Sequence, residues 1–359
     1  MNIAQISPLF ESVPPKGYGG TERVVSYLTE ELVRQGHNVT LFASGDSNTN
    51  ATLVSHVKKA LRLYDDESNL FIHYMMQMQD VIDRVNDFDI LHFHTDYLHF
   101  PISGMFNKPV LTTLHGRLDL PELKPVFKRY PEQPLISISF AQRAPLPEAS
   151  WLDTIYHGLP EDLYAPGSGD GDYVAFIGRI CKEKRLDRAI EIAKRAGIKL
   201  KVAAKIDKAD KEYFEQYIKA LLQDPDIEFI GEIGEDIKND FLGKAKALLF
   251  PIDWPEPFGM VMIEAMACGT PIIAYPNGSV PEVIQDGQNG YIVSSIEDAV
   301  HALKKIDLLD RSIVLQCFTE RFSSKIMAKN YLENYELLIQ NYNHPRSAVN
   351  KFTKAKLIA

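Results

Sequence analysis

Apolar positions along the chain fall into short runs that alternate with helical stripes, and the alternation occurs twice. Asn2 to Ser7 is a short apolar run closed by a small polar residue and Pro8, the pattern of a buried first strand. Val24, Val25, Leu28, Leu32 and Val33 then recur at helical spacing up to a stop at Gly36, and a second strand ends near Ser44. A helix over 69–85 and strands at Asp89–His94, Lys108–Gly116 and Leu135–Ser139 follow, and Thr154–Pro160 ends the first half. Ala165–Asp172, dense in Gly, Pro and Asp, reads as the interdomain linker. The second series has strands at Tyr173–Arg179, Lys199–Ala204, Ile227–Gly231 and Ala247–Pro251, with a helix to Ala196 after the first of them. Pro271–Tyr275, a short helix opened by Gly278, and a turn with an edge strand at Asp286–Val293 complete it. Met327, Tyr331, Tyr335 and Leu338 mark a last helix within Arg321–Tyr342, and the lysine-bearing tail from 344 to 359 is expected to be disordered. Strand-helix alternation in both halves predicts an α/β protein with two parallel-sheet domains facing one cleft.

Composition narrows the classes without choosing one. The chain has 359 residues, 45% of them hydrophobic and 24% charged, and a net charge of -9 argues against general nucleic-acid affinity. Its 3 cysteines, Cys181, Cys268 and Cys317, offer neither a disulfide framework nor metal-ligand spacing, which suits a reducing compartment. The N-terminus lacks the basic and apolar regions of a signal peptide, and no apolar run reaches membrane-spanning length. A cytoplasmic location is expected, with association at a membrane surface left open. Residues 56–64 supply only His56, Lys58, Lys59 and Arg62 before two acids, which argues against a basic amphipathic anchor.

The chemistry concentrates in Glu256-Pro-Phe-Gly-Met-Val-Met-Ile-Glu264, where the first acid precedes a predicted helix and the second lies inside it. Both carboxylates could face one cleft and accept hydrogen bonds from two parts of a polyhydroxylated ligand. The alternative is a helix with one capping acid and one internal acid on a wet face. Gly19, Gly20 and Thr21 open the first helix at the carboxyl end of the first strand, where backbone N–H groups can meet an anion. This is neither Gly-x-Gly-x-x-Gly nor a P-loop, and a plain flexible connection fits it as well. Arg179 and Lys184 flank a turn at another strand end, a planar fork and a point charge suited to a diphosphate, whereas Lys182 and Arg185 read as solvated charges. His92, His94 and His99 with Asp96 raise a metal site, but His92 and His94 share one strand face without a third ligand of matching geometry. His94 is expected at the strand's end, lining a cleft. His115 closes the next strand and suits either a hydrogen-bonding cap or an approach to a sugar or phosphate.

Taken together, the Gly-Gly pair after the first strand, Gly178-Arg179 with Lys184, the Glu-Pro-Phe-Gly-x-x-x-x-Glu-Ala stretch at 256–265 and Gly278-x-x-Pro-Glu-Val at 278–283 resemble the family 4 glycosyltransferases. The resemblance covers roughly residues 1–340. It implies the GT-B fold, two Rossmann-like domains with the last helix crossing back, and sugar transfer with retention and without a metal or other cofactor. It implies an N-terminal acceptor domain at 1–160 joined by a crossing helix at about 325–343, and a donor domain at 161–324. Arg179 and Lys184 would hold the donor diphosphate, and Gly19 and Gly20 would approach it. Glu256 would bind hydroxyls of the reacting sugar, with backbone N–H groups of Phe258 and Gly259 and neighbouring Met260 beside it, and His115 would contact that sugar. Glu264 would accept from the ribose, and the backbone near Gly231 would meet the base. The resemblance favours UDP-glucose, with GDP-mannose as the alternative, and a small-molecule or saccharide acceptor shaped by His94, Tyr97 and Arg143. Ser279, where many relatives have a second glycine, and Ala203-Ala204-Lys205 depart from the pattern and bear on sugar recognition. A different enzyme of the same fold, such as a glycogen-type or sucrose-type synthase or a phosphorylase, and a non-catalytic sugar-nucleotide binder are the competing classes.

Overall fold

The computed structural model describes residues 1–17, 19–64 and 70–344. Tyr18 and the tail from 345 onward, which the sequence predicts to be disordered, lie outside the described residues. The chain forms two compact units. The N-terminal unit comprises Met1–Ile138, Pro145–Ile155 and the chain from Ser324; the other comprises Ser139–Ala144 and Tyr156–Ser323.

Seven strands make the sheet of the N-terminal unit: β1 (Asn2–Ile6), β2 (Asn38–Phe42), β3 (Thr52–Val54), β4 (Ile90–Phe93), β5 (Val110–Thr113), β6 (Leu135–Ser137) and β7 (Trp151–Thr154). They are all parallel, in the order β3-β2-β1-β4-β5-β6-β7. Such a sheet has helices on both faces, so its strands read as apolar runs and not as alternating ones. Strands β3 and β7 lack such runs, and the sequence pattern did not predict them. The helix Ser324–Asn343 belongs to this unit because it buries Tyr331 and Tyr335 and packs near the helix Gly20–Arg34.

The C-terminal unit has six parallel strands, β8 (Tyr173–Arg179), β9 (Lys199–Lys205), β10 (Ile227–Gly231), β11 (Leu248–Phe250), β12 (Ile272–Ala274) and β13 (Gly290–Ile292). Their order is β10-β9-β8-β11-β12-β13. In each sheet the order reverses about the first strand, β1 or β8, and open parallel sheets bind ligands outside the carboxyl ends at such reversals. The helix Leu186–Ala196 puts Leu186, Ala189, Ile190 and Ala193 into the core and ends at Gly197, whose φ of 66° lets its N–H reach back to the carbonyls of Ala193 and Lys194. Cys181, Cys268 and Cys317 are buried and unbridged. Among the described residues no helix is long and apolar enough to cross a membrane.

Candidate active site

In the C-terminal unit Glu256 lies in the loop between β11 and the helix Met260–Ala267, and the backbone there is pinned on several sides. Gly278, at φ +60°, lies against it so closely that a Cβ would sit 2.2 Å from the Glu256 carbonyl oxygen and 2.3 Å from its nitrogen. The Ser279 N–H donates to the Glu256 carbonyl at 3.0 Å and its Oγ to the Phe258 carbonyl at 2.6 Å. Ser279 thus uses its hydroxyl at the very position where the motif departs from a second glycine. Ser139 Oγ donates to the Pro257 carbonyl at 2.6 Å. Gly259, at φ 81°, caps the helix; Met260, half-buried, is the first helical residue, and its amide belongs to a turn whose N–H groups have no partner within the helix.

Side-chain charges converge on this loop. Lys184 forms an ion pair with Glu256, and Trp254 Nε1 donates to the same carboxylate oxygen at 3.0 Å. The Lys184 ammonium also lies 5.3 Å from the Trp254 ring centre and 5.5 Å from that of Phe250, within cation–π reach. Arg179, the last residue of β8, pairs instead with Asp210 at 2.7 Å. Glu264, inside the helix and 5% exposed, accepts from Lys238 at 3.1 Å. Lys238 also donates to Glu235 at 2.7 Å, and Glu235 is held by the Tyr164 hydroxyl. Glu264 therefore faces a buried cation and not a wet face. Two carboxylates and two cations of the predicted set stand at this loop and at the end of β8, each with its charge already balanced.

Several readings of the sequence change here. Arg185 is not a solvated charge: at φ 54° it bonds Asp187 and Asp253, tying the turn after β8 to the loop that carries Trp254, while Lys182 is exposed. Trp254, Asp210, Lys238 and Glu235 were not predicted. Trp254 lies two residues before Glu256 and could have been singled out; the other three reach the site across long sequence separations. Arg143, read with the N-terminal acceptor loops, sits on a segment of the C-terminal unit, where Phe140 and Ala141 N–H groups donate to Glu282 at 2.7 Å each and its guanidinium stacks 4.6 Å from the Phe140 ring centre. Gly231 ends β10 at φ +77° beside a register irregularity, with Phe229 and Ile230 partly exposed.

The N-terminal unit places its candidates differently. Gly19 precedes the helix Gly20–Arg34, and a Cβ on it would meet Pro15 at 2.8 Å, whereas Gly20 has open space. Tyr97 is exposed. His94, expected to line a cleft for the acceptor, is buried at 2% exposure, with Nε2 at 2.7 Å from Gln5 Oε1 and Nδ1 at 2.9 Å from His115 Nε2. His99 is fully buried, stacked on Phe93 with ring centres 3.8 Å apart and bonded to Thr112 Oγ1 at 2.9 Å. Burial pushes the His99 and His115 imidazoles down to about 3, and burial followed by its histidine neighbours pushes His92 well below the usual range, so all three are neutral at pH 7. Among the described residues no three His, Cys, Asp or Glu side chains are grouped to hold a metal ion.

Two parallel-sheet units, one carrying a cation and carboxylate cluster around a glycine-capped helix, define the GT-B class of glycosyltransferase. The profile of the family described as Glycosyltransferase Family 4 matches residues 18–145, and that of Glycosyl transferases group 1 matches residues 166–312. The chain belongs to these family 4, group 1 glycosyltransferases. An uncharacterized glycosyltransferase of Methanocaldococcus jannaschii is 24% identical over 77% of this chain and 82% of its own length. A D-inositol 3-phosphate glycosyltransferase of Mycobacterium tuberculosis is 27% identical over 54% of this chain and 45% of its own length, so the chain spans under half of that relative. An uncharacterized 42.6 kDa protein of the Klebsiella pneumoniae cps region is 29% identical over 40% of the chain and 37% of its own length. Among solved structures, sucrose-phosphate synthase from Thermosynechococcus elongatus superposes with a TM-score of 0.76 at 19% identity, covering 94% of this chain and 99% of that one. HepE from Anabaena, solved in complex with UDP and glucose, gives 0.70 at 17% identity, over 93% and 99% of the two chains. At these identities the structural likeness speaks to the fold.

Proposed function

We propose that the protein transfers a hexose from a nucleoside-diphosphate sugar, UDP-glucose first, to a hydroxyl of a small-molecule or saccharide acceptor, with retention and without a metal, in the cytoplasm. The observation that carries this reading is the Lys184–Glu256 pair, braced by Trp254 and set before the helix Met260–Ala267. Lys184 pairs with the Glu256 carboxylate and Arg179 with that of Asp210. A diphosphate arriving at them takes over that neutralisation, and Glu256 is released to accept hydrogen bonds from sugar hydroxyls. As the sugar leaves the diphosphate, negative charge grows on the departing phosphate, and the two fixed cations stabilise it most at that moment. The helix N-terminus adds N–H groups from its first turn. Glu264 serves the ribose, Gly231 and its neighbours the base, and His115 with Gly19 and Gly20 are the N-terminal unit's candidates for the donor. Arg143 and Tyr97 remain candidates for the acceptor. The name of the mycobacterial relative supports a polyol-type acceptor.

Thermal unfolding against UDP, GDP, ADP and inorganic phosphate, with metal chelated, tests the reading. A ligand at about 100 times its Kd stabilises the fold by about 2.7 kcal/mol, which is readily seen as a raised midpoint. A selective response to UDP is expected; a response to GDP replaces the donor with GDP-mannose, and a response to none of the nucleotides at millimolar concentration overturns the transferase reading.

A further inference from the structure

Three consecutive carbonyl groups of the loop that carries Glu256 are each held by a donor from elsewhere in the C-terminal unit. The Ser279 N–H donates to the Glu256 carbonyl at 3.0 Å, Ser139 Oγ to the Pro257 carbonyl at 2.6 Å and Ser279 Oγ to the Phe258 carbonyl at 2.6 Å. Both serines are fully buried. Ser279 follows Gly278, which lies against Glu256, whereas Ser139 stands 118 residues before Pro257 in the chain. The contacts that bring Ser139 to the loop lead to Glu282.

Glu282 lies in the short helix Val280–Val283, and its N–H donates to the Ser279 carbonyl at 2.9 Å, so it shares a turn with the serine that already holds the loop. Its two carboxylate oxygens accept from the Phe140 and Ala141 N–H groups at 2.7 Å each. Tyr156 adds a third bond, its hydroxyl donating to Oε2 at 3.1 Å; burial, and then the Glu282 carboxylate, push that phenol up to about 12, so it remains a donor at pH 7. Phe140 and Ala141 directly follow Ser139, whose Oγ accepts from the Gln142 N–H at 2.9 Å and closes the turn. Valence gives that hydroxyl one direction. The Gln142 N–H can only donate to it and the Pro257 carbonyl can only accept, so its single proton points at the loop. Ser139–Ala144, Tyr156 and the rest of this network belong to the C-terminal unit.

We propose that Glu282 is a positioning residue for Glu256: by gripping Phe140 and Ala141 it sets Ser139, and Ser139 with Ser279 fixes the backbone from which the Glu256 carboxylate is presented. The grip follows from the contacts alone, whereas its consequence for turnover rests on the function proposed above. It gives the Gly278-x-x-Pro-Glu-Val motif a mechanical meaning. Gly278 admits the backbone of Glu256, Ser279 holds the loop directly, and Glu282 holds it through a segment distant in sequence. A carboxylate suits the task because both its oxygens accept, whereas an amide of the same shape offers one acceptor and a group that only donates.

The positioning is tested first without substrate. The chain has 2 tryptophans, and their indole N–H groups report two places: Trp254 Nε1 donates to the Glu256 carboxylate at 3.0 Å, and Trp151 Nε1 to the Leu146 carbonyl at 2.7 Å. In ¹H–¹⁵N spectra of the full chain, with Trp151→Phe assigning the two signals, Glu282→Gln should shift or broaden the Trp254 indole signal and leave that of Trp151 in place. Ser139→Ala should do the same, and it carries the test should Glu282→Gln fail to fold. A Trp254 signal unaltered in the folded variants overturns the proposal. The consequence is read as turnover per nucleotide-binding site, a quantity that partial unfolding does not change. Each substitution should lower kcat about tenfold, the size of one lost hydrogen bond in a fixed site, with the affinity for the bare nucleoside diphosphate nearly held. The double variant should lose no more than the worse single one, since both act through the Pro257 contact. Additive losses, or an unchanged kcat with an altered Trp254 signal, overturn that consequence, whereas a wild type that transfers no sugar from any donor overturns the transferase reading and leaves the Trp254 signal to judge the grip.

Discussion

The two units solve the problem of buried polarity in opposite ways. The C-terminal unit gathers charges, Lys184 with Glu256, Arg179 with Asp210 and Lys238 with Glu264 and Glu235, and neutralises them in pairs. The N-terminal unit gathers three histidines, a glutamine and two tyrosines into one run of hydrogen bonds, in which burial keeps His92 and His115 neutral. Ion pairs can be exchanged for a charged ligand at modest net cost, because attraction lost to one partner is regained from the other. On the function proposed above, the first cluster suits recognition of an anionic group, and the second has no charge with which to do so.

The sharpest way to break the contrast is Glu256→Ala. Turnover should fall by about 10²–10³-fold, the size seen when a fixed hydrogen-bonding group is removed from a transition-state site. Affinity for bare UDP, measured by calorimetry, should change little, and an equal loss of both would sink the role given to Glu256. The same comparison is sharpened by Gly278→Ala, which forces a methyl onto the Glu256 backbone at a left-handed φ. Strain of this kind costs roughly 1–3 kcal/mol before the clash is counted; a lowered unfolding midpoint together with a loss of turnover is expected, and unchanged stability would contradict the pinned loop.

A smaller effect is expected from Lys238→Met, which leaves Glu264 without its cation. The donor KM should rise about tenfold with kcat nearly held, since Glu264 is assigned to binding and not to the reacting sugar. On the neutral side the expected signature is a pH dependence of stability. His99 and His115 have folded-state values of about 3, below the ordinary 6.5, so the unfolded chain binds more protons as pH falls. Their contribution is complete above pH 6.5 and is lost progressively between 6.5 and 3, by at most about 1.4 kcal/mol per pH unit for each buried histidine. Chemical denaturation at pH 7 and pH 5 should show this fall, and His99→Gln, which cannot titrate, should reduce it. An unchanged slope in that variant would mean His99 is not held neutral.

The sequence made the charged cluster more legible than the neutral one. Glu256 and Glu264 share one short segment with a glycine stop, and Arg179 with Lys184 close a buried strand, so local rules found all four. Their partners Asp210, Lys238 and Glu235 come from elsewhere in the chain and gave no local signal. The histidines were visible but their partners were not: His94, at the end of β4, is buried against Gln5 and His115, and His99 stacks on Phe93 and bonds Thr112. A strand shows which face a side chain takes, but not which neighbours meet it there. Short edge strands β3 and β7 escaped for a related reason, since they lack the apolar runs that mark the central strands.

What the sequence determined by itself is the α/β alternation in two halves, the parallel sheets and the segments that carry the carboxylates and cations. These follow from periodicity, turn residues and spacing, which act over a few residues. The units, by contrast, divide at Ile155 and Tyr156, and the Gly- and Pro-rich Ala165–Asp172 read as the linker lies within the C-terminal unit. The tertiary structure alone decided which charge pairs with which, that Ser139–Ala144 belongs to the C-terminal unit, and that Tyr331 and Tyr335 complete the N-terminal one. Hydrogen bonds between residues as far apart as Gln5 and Tyr335 form only once sheets and helices are packed, because their geometry depends on where the chain returns and not on what stands next in it.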